Sequence, residues 1–499
     1  MKLIQFFIPR IEYILFAAMF WGIASTGPIL LNSDGDLPRH LLVGKLIRTT
    51  YQVHVTDIFS YRTMGLPSIP HEWLAQVILS GFHDIWGLGG VVFFTALIVT
   101  ITWAIIFNES LKRSQSLFSA LMFTGLGVGA SLIHVLPRPH LFSYLFTTLW
   151  ILTLEQIQRG KPQRWWFLPV LMLLWVNLHG MFVLGIVVWI IYLAGNLFEN
   201  PSRAWTSWAS DPGTKSMLMG GALALVATFL SPSGFKIWEA IASLGGNAYI
   251  KSRIPEYQSA NFQMAETWPF ILLLLLGIAS FARSSRKIRF AHVFLITAFA
   301  GIALYSSRML PLFAIVAVPI LAKSFSEWIK EDFPGSRFLS MEANISATNR
   351  TSNGLIWILA VIVAVVFLFR SDISIDPAGK GNVFDSSFFP VDALNWLESN
   401  PQNGHMFNEF DWGGYILLKT WPAYPIFMDG HTHIYGEALT REYEEVITLS
   451  QDWEDVFEKY QVEWAILRVR SPVVEKLEEQ GWHILFHDET AIILRQTTE

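Results

Sequence analysis

The first 370 residues contain eleven largely apolar stretches, near 11–31, 89–108, 116–135, 141–157, 165–178, 181–198, 216–231, 269–282, 290–306, 310–325 and 354–370. A helix that crosses a bilayer needs roughly 17 to 25 such residues. Charge separates this part of the chain from the C-terminal remainder. Residues 1–370 carry 17 acids and 27 bases, about 12% of positions, whereas residues 371–499 carry 23 acids and 8 bases, about 24%, the usual density of a water-soluble domain. The overall net charge of −5 describes neither part. The expected organisation is a polytopic α-helical membrane domain over 1–370, of about eleven spans, followed by a soluble domain over 371–499.

Short cytoplasmic loops of membrane proteins are rich in Lys and Arg. With a cytoplasmic N-terminus, 17 of the 27 bases fall in or beside 1–10, 109–115, 158–164, 199–215, 283–289 and 326–353. Counting the amphipathic stretch 72–86 (HEWLAQVILSGFHDI) as a twelfth span would reverse most of them, so it reads as lying on the membrane or dipping into it. The run 11–31 after Lys2 and Arg10 is longer than a signal-peptide core and reads as a retained first span. Loops 32–88 and 232–268 and the soluble domain are then exterior, and a bacterial plasma membrane is the expected location. The chain has no cysteine, which excludes disulfides and thiolate metal sites.

The polar residues suited to chemistry share that exterior side, and ionisable groups near membrane depth are costly enough to read as functional. In SDGDLPRHLLVGKLIRT, Asp34 and Asp36 can hold a divalent cation such as Mg²⁺ or Mn²⁺, remove a proton from an acceptor hydroxyl, or cap the helix that begins beside them. Arg39 and His40 lie a turn further on, placed to meet a phosphate. Glu72 begins the amphipathic stretch and is the natural partner of the two aspartates. Arg138 and His140 sit in a proline-stiffened turn (LPRPHLF), Asn177 and His179 end the fifth span (WVNLHG), and Arg308 (SSRMLP) is a third exterior cation. Snorkelling and helix capping are the competing readings for these positions. The glycines of GLGVGA lack a preceding strand and read as helix packing; no nucleotide or nucleic-acid motif is present.

The soluble part alternates helical and strand-like runs: helices at 391–399, 411–419, 436–447, 451–459 and 471–480, strands at 404–409, 425–429 and 463–469, and a closing hairpin at 482–495. This pattern predicts an α/β domain with a mainly parallel sheet. Ligands of such sheets bind beyond strand ends. Two motifs stand there: FDWGGY, with Asp411, Trp412 and Tyr415, and FMDGHTH, with Asp429, His431 and His433. The His-Thr-His pair is also a weak metal-binding signal.

Together these segments resemble GT-C class membrane glycosyltransferases, which use lipid-linked sugar donors. DGDLPRHLLVGKLI resembles the acidic first-loop motif of that class, and FDWGGY followed by FMDGHTH is similar in order and spacing to WWDYGY and ADGNT of the oligosaccharyltransferase catalytic subunit. The chain is also similar to a set of bacterial membrane proteins of unassigned substrate that share its HEWL, RPH, NLHG and WGGY segments. The resemblance implies an exterior, inverting transfer of a sugar from a polyprenyl-phosphate or pyrophosphate donor. It implies a base or metal ligand at Asp34 or Asp36 assisted by Glu72, and donor phosphate binding by Arg39, His40, Arg138, His140 and Arg308. Asn177, His179, Asp411, Trp412, Tyr415, Asp429 and His431 would meet the acceptor, a glycan, lipid or protein, or support the residues that do. A lipid-linked saccharide transporter, a non-catalytic assembly subunit, and transfer of another lipid-borne group such as phosphoethanolamine are the alternatives. A transporter would carry polar residues on both faces and at mid-span, often with internal repeats; the sequence shows neither a repeat nor a mid-span ion pair.

Overall fold

The computed structural model describes residues 7–497 apart from 200–204, 247, 285–286, 353, 371–378 and 380. The expected cytoplasmic bases Lys2, Arg203 and Arg286 lie outside the described residues. All eleven apolar stretches fall on helices. The membrane part runs α1 (Ile11–Ser25), α2 (Leu37–Thr50), α3 (Trp73–Ser114), α4 (Leu117–Ser131), α5 (His140–Gln158), α6 (Phe167–Leu178), α7 (Val183–Glu199), α8 (Pro212–Ala227), α9 (Trp268–Arg283), α10 (Phe290–Tyr305), α11 (Leu310–Asp332), α12 (Arg337–Thr351) and α13 (Leu355–Arg370). Among the described residues, five helical stretches are long and apolar enough to cross a membrane by themselves. The count of eleven spans therefore rests on the hydropathy pattern.

α11 is the buried centre of the bundle and packs against α3, α4, α9 and α10. α3 joins the amphipathic stretch to the second apolar run in one 42-residue helix, broken at Trp86 and Gly87. Gly87 takes φ 60°, a left-handed value that glycine adopts without steric cost. The first half of α3 lies along α2, where a Cβ at Gly44 would strike the Gln76 backbone and the Ser80 side chain. The glycine lets the first exterior loop sit directly on the amphipathic segment.

The C-terminal part holds α14 (Val391–Ser399), β1 (His405–Asn408), α15 (Gly413–Thr420), α16 (Thr432–Ile447), α17 (Trp453–Tyr460), β2 (Val462–Arg468), α18 (Pro472–Glu479), β3 (His483–His487) and β4 (Ala491–Arg495). Its sheet has the order β1-β2-β4-β3 and is mixed. Only β1 and β2 pair in parallel, while β4 is antiparallel to both β2 and β3. The expectation of a mainly parallel sheet fails for two reasons. β3 and β4 are joined by a tight turn, which can only link antiparallel neighbours. The stretch 425–429 forms no strand of that sheet and makes one parallel bridge, Ile426 to Ser60 of the first exterior loop.

That loop is part of the C-terminal core. Leu42 and Phe59 pack with Trp412, Tyr415, Ile416, Ile426 and Trp464, and the Ser60 hydroxyl donates to the Phe427 carbonyl at 3.1 Å. The membrane part and the C-terminal part thus share one apolar cluster, and the site forms where they meet.

Candidate functional site

A cavity of about 1260 Å³ opens at that junction. One side is apolar, with Met19, Ile23, Ile29 and Leu30 from the first apolar run and Ile237 and Ile241 from helix Lys236–Gly246. The other side is polar and carries Asp34, Asp36, Glu72, Arg138, Glu256, Arg308, Asp411 and seven histidines.

The two aspartates differ in what they touch. The first apolar run ends at Asn32, and the turn Ser33–Asp36 reverses the chain into α2, held by a hydrogen bond from the Asp36 N–H to Asp34 Oδ1 at 3.0 Å. Both Asp34 carboxylate oxygens accept from Arg138, through Nε and Nη2, and the side chain is only 3% exposed. Asp36 stands at the start of α2 but makes no capping bond with its side chain. That side chain is 30% exposed to the cavity, with Arg138 Nη1 at 3.2 Å. Desolvation in this confined position pushes the carboxyl up to about 7; Arg138 opposes that rise, and the charges of Asp34, Asp429 and Glu256 add to it. Asp34 is engaged by an arginine, while Asp36 is reachable and can exchange a proton near neutrality.

The C-terminal part grips this turn through glycines. A Cβ at Gly35 would meet the Asp411 carbonyl, one at Gly414 the Gly35 carbonyl, one at Gly413 the Met428 carbonyl, and one at Gly430 the Asp36 carboxylate. WGGY and DGH therefore close on either side of DGD at backbone contact distance. Arg39 ties them together: it pairs with the buried Asp429, lies 3.8 Å from Asp57 and stacks on Phe59 at 4.7 Å. Asp429 in turn accepts from the His431 N–H at 3.1 Å.

Glu72 is surrounded by imidazoles, with His179 Nε2 at 3.4 Å, His71 Nε2 at 3.6 Å and His40 Nδ1 at 3.9 Å. Burial would raise its pKa, but His71, His40, His179 and Arg308 outweigh it and hold the carboxyl at about 2. The His179 tautomer is set by its partners. The Met181 N–H and the Ser143 hydroxyl both point at Nδ1, at 3.4 and 2.8 Å, and Trp175 Nε1 donates to that hydroxyl at 2.8 Å. Nδ1 is then the acceptor, and Nε2–H faces Glu72.

Glu256 joins the remaining cations. It accepts from Arg308 Nη1 at 3.0 Å and lies 3.9 Å from Arg138 Nη1 and 3.6 Å from His134 Nδ1. The ring of His134 stacks on His140 at 4.4 Å, His140 lies 6.4 Å from His179, and His71 lies 6.4 Å from His431. The contacts close on themselves: Asp36, Arg138, Glu256, His134, His140, His179, Glu72, His71, His431 and, through Gly430, Asp36 again.

Of the residues nominated from sequence, Asp34, Asp36, Arg39, His40, Glu72, Arg138, His140, His179, Arg308, Asp411, His431 and His433 line this one cavity. Four do not. Trp412 and Tyr415 are buried in the C-terminal core, with Trp412 Nε1 donating to the Phe388 carbonyl at 2.8 Å. Asp429 lies behind the wall, against Arg39. Asn177 accepts from Trp73 Nε1 at 2.8 Å and donates to the Leu173 and Leu230 carbonyls, so it joins α6 to the start of α3. Sequence reasoning missed His71, His134, Glu256 and Tyr257. Each had a local signal: His71 precedes Glu72, His134 ends an apolar run four residues before Arg138, and Glu256 and Tyr257 lie in the exterior loop 232–268.

A divalent cation at Asp34 and Asp36 does not fit this arrangement. Arg138 occupies both oxygens of Asp34, and no group of three or more His, Asp or Glu side chains among the described residues is placed to hold a metal ion.

No protein-family model and no curated protein sequence matches the chain. Solved structures do. The archaeal oligosaccharyltransferase AglB from Archaeoglobus fulgidus, in complex with an inhibitory peptide and a dolichol-phosphate, superposes with a TM-score of 0.57 at 11% identity, over 91% of this chain and 69% of that one. The Archaeoglobus fulgidus oligosaccharyltransferase tethered to an acceptor peptide containing the NVT sequon gives 0.55 at 13% identity, with the same coverage. ArnT from Cupriavidus metallidurans, bound to undecaprenyl phosphate, gives 0.51 at 12% identity, over 96% of this chain and 97% of that one. At these identities the likeness is one of fold, a GT-C-like fold.

Proposed function

We propose that this protein transfers a sugar from a polyprenyl-phosphate or pyrophosphate donor to an acceptor hydroxyl or amide on the exterior membrane face, with inversion. One observation carries the reading: a single cavity joins an apolar wall to a charged ring that contains an aspartate able to take up a proton near neutral pH. Structural neighbours bound to dolichol-phosphate and undecaprenyl phosphate support the donor class.

In this reading the isoprenoid lies along Met19, Ile23 and Ile29. The donor phosphate faces Arg308, whose Nε–H has no partner among the described residues, and Arg138. Asp36 takes the proton from the acceptor as the acceptor attacks the anomeric carbon opposite the phosphate. The bond to the phosphate breaks and its electron pair leaves with the phosphate, so the configuration inverts. Asp34 holds Arg138 in place, and Glu72 fixes His179, His71 and His40 around the sugar. Asp411 and His431 bring the C-terminal part against the acceptor.

The test is transfer of radiolabelled sugar from synthetic polyprenyl-phosphate and pyrophosphate donors to candidate glycan, lipid and peptide acceptors. Wild type would be compared with Asp36→Asn and Asp34→Asn. Loss of a general base lowers the rate about 10²- to 10⁴-fold. Transfer by Asp36→Asn at the wild-type rate would reject the assignment.

A further inference from the structure

At the other end of the same helices lies a second, smaller cleft. α1 begins there and ends at the main cavity, α3 begins at the main cavity and ends there, and α4 begins there and ends beside His134. The eighteen residues Leu117–His134 span about 27 Å at 1.5 Å per residue, close to the hydrocarbon thickness of a bilayer. The two cavities therefore sit at opposite membrane surfaces.

This cleft has a volume of about 210 Å³ and is lined by Arg10, Lys112 and Arg350, one carboxylate, Glu12, and the apolar Leu111 and Leu117. Asn349 already engages Glu12, with Nδ2 donating to its carboxylate at 3.0 Å. Among the described residues Arg10 uses only Nε, toward the Ser352 carbonyl at 2.8 Å. Among the described residues, the side chains of Lys112 and Arg350 make neither an ion pair nor a hydrogen bond. Neighbouring cations on this face are matched: Arg113 donates to Glu109 at 2.7 Å, and Arg159 lies 3.2 Å from Glu155. Three cations around one concavity against a single engaged acid is an arrangement that an anion completes.

α12 forms the outer wall and is pinned to the start of α4 by Glu342, which accepts from the Ser116 hydroxyl and, at 3.1 Å, from the Phe118 N–H. Along α12 Phe338, Met341 and Ile345 are exposed at helical spacing, with the Phe338 ring edge-on to Phe118 at 4.7 Å. An exposed apolar stripe on a helix with a basic flank is the pattern of a helix lying in the membrane interface, and basic pockets at that depth hold anionic headgroups.

We infer that the cleft between Arg10, Lys112 and Arg350 binds the phosphate of an anionic phospholipid headgroup, with the glycerol end of its acyl chains against Leu111 and Leu117. The inference is independent of the chemistry proposed at the main cavity.

The test titrates the detergent-purified full-length chain with phosphatidylglycerol, cardiolipin, phosphatidylcholine and inorganic phosphate, reading bound lipid by native mass spectrometry and the melting temperature in parallel. Phosphatidylglycerol or cardiolipin should bind at least tenfold more tightly than phosphatidylcholine. The double variant Lys112→Gln, Arg350→Gln should abolish that preference, while Lys161→Gln, an exposed cation outside the cleft, should keep it. Both target side chains are exposed, so the lipid-free melting temperature reports whether the variant folds. If it falls, Lys112→Arg with Arg350→Lys, which keeps the charge, must preserve the preference. Equal binding of neutral and anionic lipid, or an unchanged preference in the double variant, overturns the site. Stabilisation by inorganic phosphate equal to that by phosphatidylglycerol overturns its assignment to a lipid.

Discussion

At the scale of single residues the informative contrast is Asp34 against Asp36. Two aspartates separated by one glycine look equivalent in sequence, but Arg138 engages both oxygens of Asp34 and leaves Asp36 the more exposed of the two. A base must be deprotonated to act, so transfer should be slow below pH 7 and rise to a plateau above it. A pH–rate profile would show one ionisation near 7, as placed by the Asp36 carboxyl, and a flat profile from pH 5 to 8 would remove Asp36 from the role. Gly430 offers an independent check, because a Cβ there meets the Asp36 carboxylate. Gly430→Ala should fold, yet lower turnover more than tenfold by displacing that carboxylate; an unchanged rate would show that Asp36 does not need its present position. Neither glycine packing nor the arginine's choice of partner is visible in a one-dimensional motif.

At the scale of elements, most helices were legible because apolar period and length announce them. The strands were legible at 404–409, 463–469 and in the closing hairpin for the same reason. The stretch 425–429 is apolar like a strand but serves as a bridge to the first exterior loop, a partner hundreds of residues away that no local pattern can name. Trp412 and Tyr415 were misplaced similarly: a residue after a strand end can face the ligand or the core, and the turn Phe410–Trp412 leading into α15 sets these two inward. Trp412→Ala should therefore destabilise the C-terminal part by about 3–5 kcal/mol, measured by chemical denaturation. Arg39→Ala should cost about 3–5 kcal/mol, since it strands the Asp429 carboxylate in the interior. The double variant Arg39→Met, Asp429→Leu should recover most of that loss. If Arg39→Ala changes stability by less than about 1 kcal/mol, the pair is not what holds DGH against DGD.

For the whole molecule, the consequence is a site that belongs to neither half of the chain. His40, His179, His431 and His433 come from a loop helix, a helix junction and the C-terminal part. Burial holds each of them below the usual imidazole range, His179 and His433 at about 3. The unfolded chain takes up protons on these groups from about pH 6.5 downward while the folded one does not, so stability is lost as pH falls from about 6.5 toward those lower values. Each such group costs up to about 1.4 kcal/mol per pH unit below that point. The melting temperature should drop steeply between pH 6.5 and 5 and less so in a His431→Gln, His433→Gln variant; a constant melting temperature over that range would mean that the histidines charge without penalty.

The sequence by itself determined the division at Arg370, the helical character of the first part and the segments that bear chemistry, because charge density and apolar period are local properties. Tertiary structure alone decided that DGD, HEW, RPH, NLH, WGG and DGH converge, that Asp36 is more exposed to the cavity than Asp34, and that Glu256 completes the ring. Those outcomes depend on which backbones can approach at glycines and on which cation reaches a carboxylate first, both set by the packing of distant segments.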